Sequence, residues 1–265
     1  MTRWPWAAMS IACAAMAAGC APQKVLKVCA DPNNLPFSNA RGQGFENRLV
    51  GIIAKDLRAR VEYTWWAQRR GFVRNTLKAE TCDLWPGVAT GVEMLQATRP
   101  YYRSTYVFVT RADRDLHIEG FDDPKLANLT IGVQMIGDDA SNTPPAHALA
   151  TRGMTRNVRG YMLYGDYSRP NPPAEIVRAV DRGDIDVAVV WGPLAGYFAR
   201  TSRHPLRLDQ APAQDGAAWP MAFDISLGVR KDDKALRDEL DRSLRRHARE
   251  IDKLLVDYGV PVVTG

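Results

Sequence analysis

The sequence predicts an α/β protein of two lobes, each a mostly parallel sheet flanked by helices, with the chain crossing between the lobes twice. Three observations predict it. A short apolar strand running into a Pro-, Asn- or Asp-rich turn and then a helix occurs at 26–37 with 45–58, and again at 130–139 with 146–152. The first lobe continues as strand, helix, strand, helix, strand, the order of a parallel sheet. After the second lobe, a strand at 223–229 is placed to bring the chain back. Ligands of open α/β sheets sit where the strands end. Two such sheets facing each other imply a cleft between lobes, and so a binding protein before any catalytic group is considered.

Residues 1–23 are set aside first. Arg3 is their only charge, and 7–19 is apolar and Ala-rich, which reads as an export signal too short for a good membrane span. The ending Ala17-Ala18-Gly19-Cys20 resembles a lipobox with Ala17 where Leu is usual. Acylation of Cys20 and ordinary cleavage nearby both fit, and a lipid there tethers the chain to a membrane without spanning it. The strand 25–31 opens the folded part. Residues 45–58 place Leu49, Ile52, Ile53 and Leu57 at helical spacing. A strand at 61–66, a short helix at 71–80 and a strand at 82–88 complete the parallel unit, and 105–110 leads out of the lobe.

The second lobe repeats this grammar. A strand at 129–134 precedes a helix begun by Thr143-Pro144-Pro145, with Pro tolerated in a first turn. A strand at 158–163 precedes a helix begun by Asn171-Pro172-Pro173 and ending at Arg182. The segment 185–191, apolar without a break from Val187 onward, reads as a buried strand, and 192–200 is helical. After the return strand, 232–258 reads as one long helical region, started by Asp232-Asp233 and stopped by Gly259 and Pro261. The expected division is therefore 24–109 with 224–265 as lobe 1 and 110–223 as lobe 2.

The chain is basic, with net charge +5, but no run of Lys or Arg dominates, so nothing supports nucleic-acid binding. Of four cysteines, Cys13 leaves with the signal and Cys20 is lipidated or lost. Cys29 and Cys82 remain, and a disulfide or two buried thiols both fit an exported protein. Their offset along neighbouring strands weighs against the bond, because bridged Cα atoms lie within about 7 Å. His117, His147, His204 and His247 are scattered without metal-ligand spacing, and Asp138-Asp139 sits in no calcium loop. No Gly-x-Ser-x-Gly elbow, phosphate loop or Cys–His pairing is present, so the chain reads as a non-enzymatic binding protein without a cofactor.

Cleft candidates are polar or aromatic residues at strand ends. From the first lobe these are Asp31, Asn33, Asn34, Phe37, Trp66, Arg69 and Arg70. From the second they are Gln134, Asp138, Asn142, Thr143, Tyr164, Asp166, Tyr167 and Trp191. The alternative for each is a turn former, as for Asn33-Asn34, or core, as for Trp66.

The turn at 28–37, the Tyr101-Tyr102-Arg103-Ser104 segment and Asp184-Ile185-Asp186-Val187-Ala188 resemble the two-lobed periplasmic solute-binding proteins (type II) of the amino-acid-binding kind. Longer blocks at 29–39, 63–74, 98–106, 132–134, 142–146 and 190–197 are similar to a narrower branch. It is the branch encoded beside PQQ-dependent alcohol dehydrogenases, the MxaJ/XoxJ-type proteins of methanol oxidation. The resemblance implies a periplasmic accessory supporting maturation or activation of a quinoprotein dehydrogenase, with that enzyme and its cytochrome as partners. The alternative is the solute-binding component of an ABC importer for a small polar or anionic ligand. In amino-acid binders an Arg grips the ligand carboxylate where Thr90-Gly91-Val92-Glu93-Met94 stands here, and Met94 holds its place. Trp191 stands where an Asp holds the ammonium, and Trp donates one hydrogen bond but carries no charge. Tight binding of a zwitterionic amino acid is therefore not expected, and Arg99 is the nearest substitute for the missing Arg.

Overall fold

The computed structural model describes residues 23–136, 142–163, 166–216 and 219–264. The export segment, Cys20, Asp138 and Tyr164 lie outside the described residues. In the first lobe, Val25–Ala30 lies parallel between Arg60–Trp65 and Leu84–Ala89. Ala222–Val229 then runs antiparallel to Leu84–Ala89 and, through Ala222 to Ile225, to the start of Tyr102–Arg111. From Tyr106 onward Tyr102–Arg111 changes partner and pairs antiparallel with Val187–Trp191. Ile131–Met135 and Val158–Met162 follow in parallel beyond it.

The two crossing strands thus pair with each other, and the ladder is one ten-stranded network rather than two separate sheets. The lobes remain two-faced about it because Tyr102–Arg111 switches neighbours between Thr105 and Tyr106. Leu206–Gln210, a strand not expected from the sequence, pairs on its other side.

The cores follow from side-chain alternation. Phe45, Leu49 and Ile53 of the helix Phe45–Asp56 pack on Leu26, Val28 and Leu227. In Val187–Trp191, Val187 and Val189 face one cluster with Phe108 and Leu149, while Ala188 and Val190 face another with Ile176 and Leu194. A strand covered on both faces reads as the continuous apolar run seen in the sequence.

Two helix expectations are corrected. The segment 71–80 forms only one helical turn, Phe72–Asn75, because Thr76 leaves the helical region at φ −123°, ψ −89°. Its apolar residues Phe72 and Leu77 instead cover the cysteine pair. The region 232–258 is two helices, Lys234–Arg246 and Ala248–Asp257, separated at His247. The break lets Leu240 and Leu244 from one and Ile251 and Leu255 from the other reach a single core.

Cys29 and Cys82 are joined by a disulfide, with Cα atoms 5.5 Å apart. Cys82 precedes its strand, so the offset expected from the ladder does not apply. Among the described residues, no helix is long and apolar enough to cross a membrane.

Candidate functional site

A cavity of about 550 Å³ lies where the lobes meet. Each wall grows from a strand–turn–helix unit. In the first lobe, the strand Val25–Ala30 ends at Asp31, which is buried. The Asp31 carboxylate accepts from the backbone N–H of Asn33 at 2.8 Å, the backbone N–H of Gln68 at 2.6 Å and the Tyr167 hydroxyl of the other lobe. The turn that follows feeds its carbonyls to the helix start, Pro36 O accepting from Phe45 N and Phe37 O from Glu46 N. That places Glu46 in the first helical turn, beside Asp31. Its side chain passes over Gly87, where an added Cβ would meet Glu46 Oε1 at 2.2 Å. Glycine is required at 87 for this approach.

The Glu46 side chain reaches the cavity without a hydrogen-bond partner among the described residues. Burial first, and then the charge of Asp31, push its carboxyl well above the usual carboxylate range. Burial likewise raises Tyr102, with the nearby Glu46 charge adding to it. The Tyr167 hydroxyl is raised by burial and by its bond to Asp31.

In the second lobe, Gln134 lies one residue before the end of its strand and is buried, and both of its oxygens are bound by the scaffold. Its backbone carbonyl accepts from Thr143 Oγ1 at 2.6 Å, and its Oε1 accepts from Trp191 N at 3.2 Å. Ile136, Leu163, Pro173, Trp191 and Leu194 make the rest of that wall apolar. Between the walls the crossing strands contribute Tyr102, Tyr106, Phe223 and Ile225. Trp191 meets Tyr106 and Phe223 edge-on, at ring centroid distances of 5.3 and 5.9 Å.

Of the residues predicted from sequence, Asp31, Asn34, Phe37, Gln134, Tyr167 and Trp191 line this cavity. Asn33 instead ties the lobes together, donating to Arg169 O at 2.8 Å and accepting from Asn171 N at 2.9 Å. Trp66 is 40 % exposed beyond its strand, and Arg69 and Arg70 are exposed in the turn after it. Asn142 accepts from Ile136 N at 2.9 Å and Thr143 binds Gln134, so both brace a turn. Asp166 accepts from Ser168 Oγ at 2.6 Å on the outer face, beside a smaller pocket of about 210 Å³. Glu46, Gln68, Trp85, Tyr102, Tyr106 and Phe223 were missed. Glu46 carried a signal, since it stands in the first turn of the helix facing the Asp31 turn. The aromatics carried none, because their spacing is that of ordinary strand residues.

The chain is 34% identical over 251 residues to "Protein MoxJ" of Methylorubrum extorquens, covering 90% of this chain and 81% of that one. The crystal structure of the periplasmic binding protein XoxJ from Methylobacterium extorquens AM1 superposes with a TM-score of 0.75 at 33% identity, over 91% of this chain and 100% of that one. The chain belongs to the MoxJ/XoxJ/MxaJ family of periplasmic binding proteins. No family model matches the sequence. An ancestral cationic amino-acid solute-binding protein shares the fold at 20% identity, with a TM-score of 0.69 over 89% of this chain and 95% of that one. Family membership bears out the resemblance read from the sequence, and with it the two-lobed fold. Met94 and Trp191, which the sequence reading sets against the Arg and Asp of amino-acid binders, both border the cavity.

Proposed function

We propose that this protein is a periplasmic, non-enzymatic accessory that supports maturation or activation of a PQQ-dependent methanol dehydrogenase. The observation that carries this reading is the chain-long similarity to MoxJ, together with the sequence blocks shared with the branch encoded beside such dehydrogenases. The cavity chemistry supports a departure from amino-acid delivery. Met94 and Trp191 supply neither charge, and Arg99 does not line the cavity, its backbone N–H donating to Asp241 at 2.8 Å on the surface. Losing two charge-assisted contacts, at about 1.5–3 kcal/mol each, moves a micromolar amino-acid site toward millimolar or weaker.

Deleting the gene and measuring alcohol dehydrogenase activity and cofactor loading in periplasmic extracts tests the proposal. Lost activity restored by complementation is expected. A second reading, the solute-binding component of an importer, is favoured by the presence of an interlobe cavity of small-molecule size. Normal dehydrogenase activity with lost uptake of a solute would replace the first reading by the second.

A further inference from the structure

Two carboxyl groups, Asp31 and Glu46, enter the interlobe cavity, and no Lys, Arg or His lines it among the described residues. Of the polar or anionic guests that the sequence reading allows, an anion has no counter-charge there. Asp31 is already saturated by Asn33, Gln68 and Tyr167. Glu46 is not. It is 4 % exposed, opens onto the cavity, and has no hydrogen-bond partner among the described residues. A buried polar group left unpaired costs stability, and a buried charge costs more. The rest of the wall is aromatic, with Phe37, Trp85, Tyr102, Tyr106, Trp191 and Phe223 around the same space. Aromatic faces attract cations, most strongly where water is excluded.

We infer that this cleft binds a small organic cation with apolar substituents, an alkyl- or aryl-ammonium lacking a carboxylate, held by Glu46 and enclosed by the aromatic wall. A bare metal ion does not suit the site, because one available carboxyl among aromatic rings supplies too few oxygens. A zwitterion does not suit it either, since no Lys, Arg or His among the described residues lines it to pair with the carboxylate. The volume of about 550 Å³ matches a small-molecule cleft. The inference is independent of the accessory role and concerns only the cavity.

Binding exchanges one positive charge for another. In the unliganded cavity, burial and the charge of Asp31 favour the protonated form of the Glu46 carboxyl. The arriving cation displaces that proton to solvent and pairs with the carboxylate. The titratable groups around Glu46 are Asp31, Tyr63, Tyr101 and Tyr102, and the tyrosines stay neutral through this exchange because each is raised. Affinity for a cation of permanent charge therefore rises with pH until Glu46 ionises unaided.

The experiment is calorimetric titration of the mature protein with choline and benzyltrimethylammonium, each beside its uncharged isostere, 3,3-dimethylbutan-1-ol and neopentylbenzene. Buffers of different ionisation enthalpy count the protons released. The expected result is about tenfold or greater preference for the cation, close to one proton released per ligand, and loss of that preference in Glu46→Gln. The wild-type cation-to-isostere ratio and proton count do not depend on the variant folding. Equal binding of cation and isostere, or no binding of either cation up to millimolar concentration, would overturn the inference. An unchanged cation preference in a folded Glu46→Gln would remove Glu46 from it.

Discussion

The two strand–turn–helix units that face each other across the cleft share a grammar and differ in chemistry. In the first, the strand end presents Asp31 and the helix start presents Glu46, so two acids meet at the cavity. In the second, the strand end presents Gln134, and the helix start presents Thr143, which turns back onto Gln134. The oxygens of Gln134 and the hydroxyl of Thr143 are consumed by the second unit's own scaffold. The polar groups of the first are only partly consumed, and Glu46 remains for the cavity. One lobe supplies the charge and the other supplies an apolar cover, tied on through Tyr167 to Asp31 and through Asn33 to Arg169 and Asn171. A binding fold can therefore keep its architecture while moving its chemistry to one side of the cleft.

The largest expected effect asks whether the charged lobe depends on its disulfide. Cys29 and Cys82 are 53 residues apart in sequence, and closing a loop of that length contributes about 4 kcal/mol in the chain-entropy view. The double change Cys29→Ala with Cys82→Ala should lower stability by roughly that amount, read from chemical denaturation. Hydrogen exchange should show the loss first around Phe72, Leu77 and Val88, which pack on the pair. A loss spread evenly over both lobes would mean that they unfold as one unit.

Glu46 gives the next test. Its native carboxyl is raised above its unfolded value, so the native state holds a proton that the unfolded chain has released. Stability therefore falls as pH rises above about 4.3, by up to about 1.4 kcal/mol per unit, until the native carboxyl also ionises. Glu46→Gln should flatten this slope and be the more stable form at neutral pH. Parallel slopes for the two proteins would show that the carboxyl is not desolvated.

The tie between lobes sharpens the comparison further. Tyr167→Phe removes a hydrogen bond to a charged acceptor, about 1.5–3 kcal/mol in closing energy. Small-angle scattering should show a more open molecule, while the unfolding midpoint moves little because each lobe keeps its core. A midpoint shift without opening would assign the bond to folding instead.

The smallest effect lies on the far side of the first lobe. Arg246, with His247 beside it, holds the Asp56 carboxyl well below its ordinary value. Its contribution is present above the unfolded-chain value of about 3.9 and is lost as pH falls below it. Because Arg246 is half exposed, Asp56→Asn should cost only about 0–1 kcal/mol at neutral pH and nothing at strongly acidic pH.

Much of this was legible in the sequence, for identifiable reasons. The unbroken apolar run ending at Trp191 could only be a strand covered on both faces. The order of elements gave the parallel units, and the shared blocks gave the family. Where local pattern misled, tertiary contacts had overridden it. The helix expected at 71–80 stops after one turn so that Leu77 can cover the disulfide. The helix expected at 232–258 breaks at His247 so that both halves reach one core. Leu206–Gln210 is a strand only because the edge of Tyr102–Arg111 was open to receive it.

The site divides in the same way. Composition and spacing determine that polar and aromatic residues collect at strand ends, and so Asp31, Phe37, Gln134 and Trp191 were found by position alone. Which of them keeps a free polar group is decided by hydrogen bonding between segments far apart in sequence. Asp31 is saturated by Asn33, Gln68 and Tyr167, and the two oxygens of Gln134 are taken by Thr143 and Trp191. Glu46 owes its exposure to the cavity to Gly87, a residue 41 positions later whose missing side chain leaves the space. The sequence by itself determines which chemical groups are present and which strands they end. Only the packed tertiary structure decides which are used up, because burial charges every unpaired polar atom a free energy that local sequence does not encode.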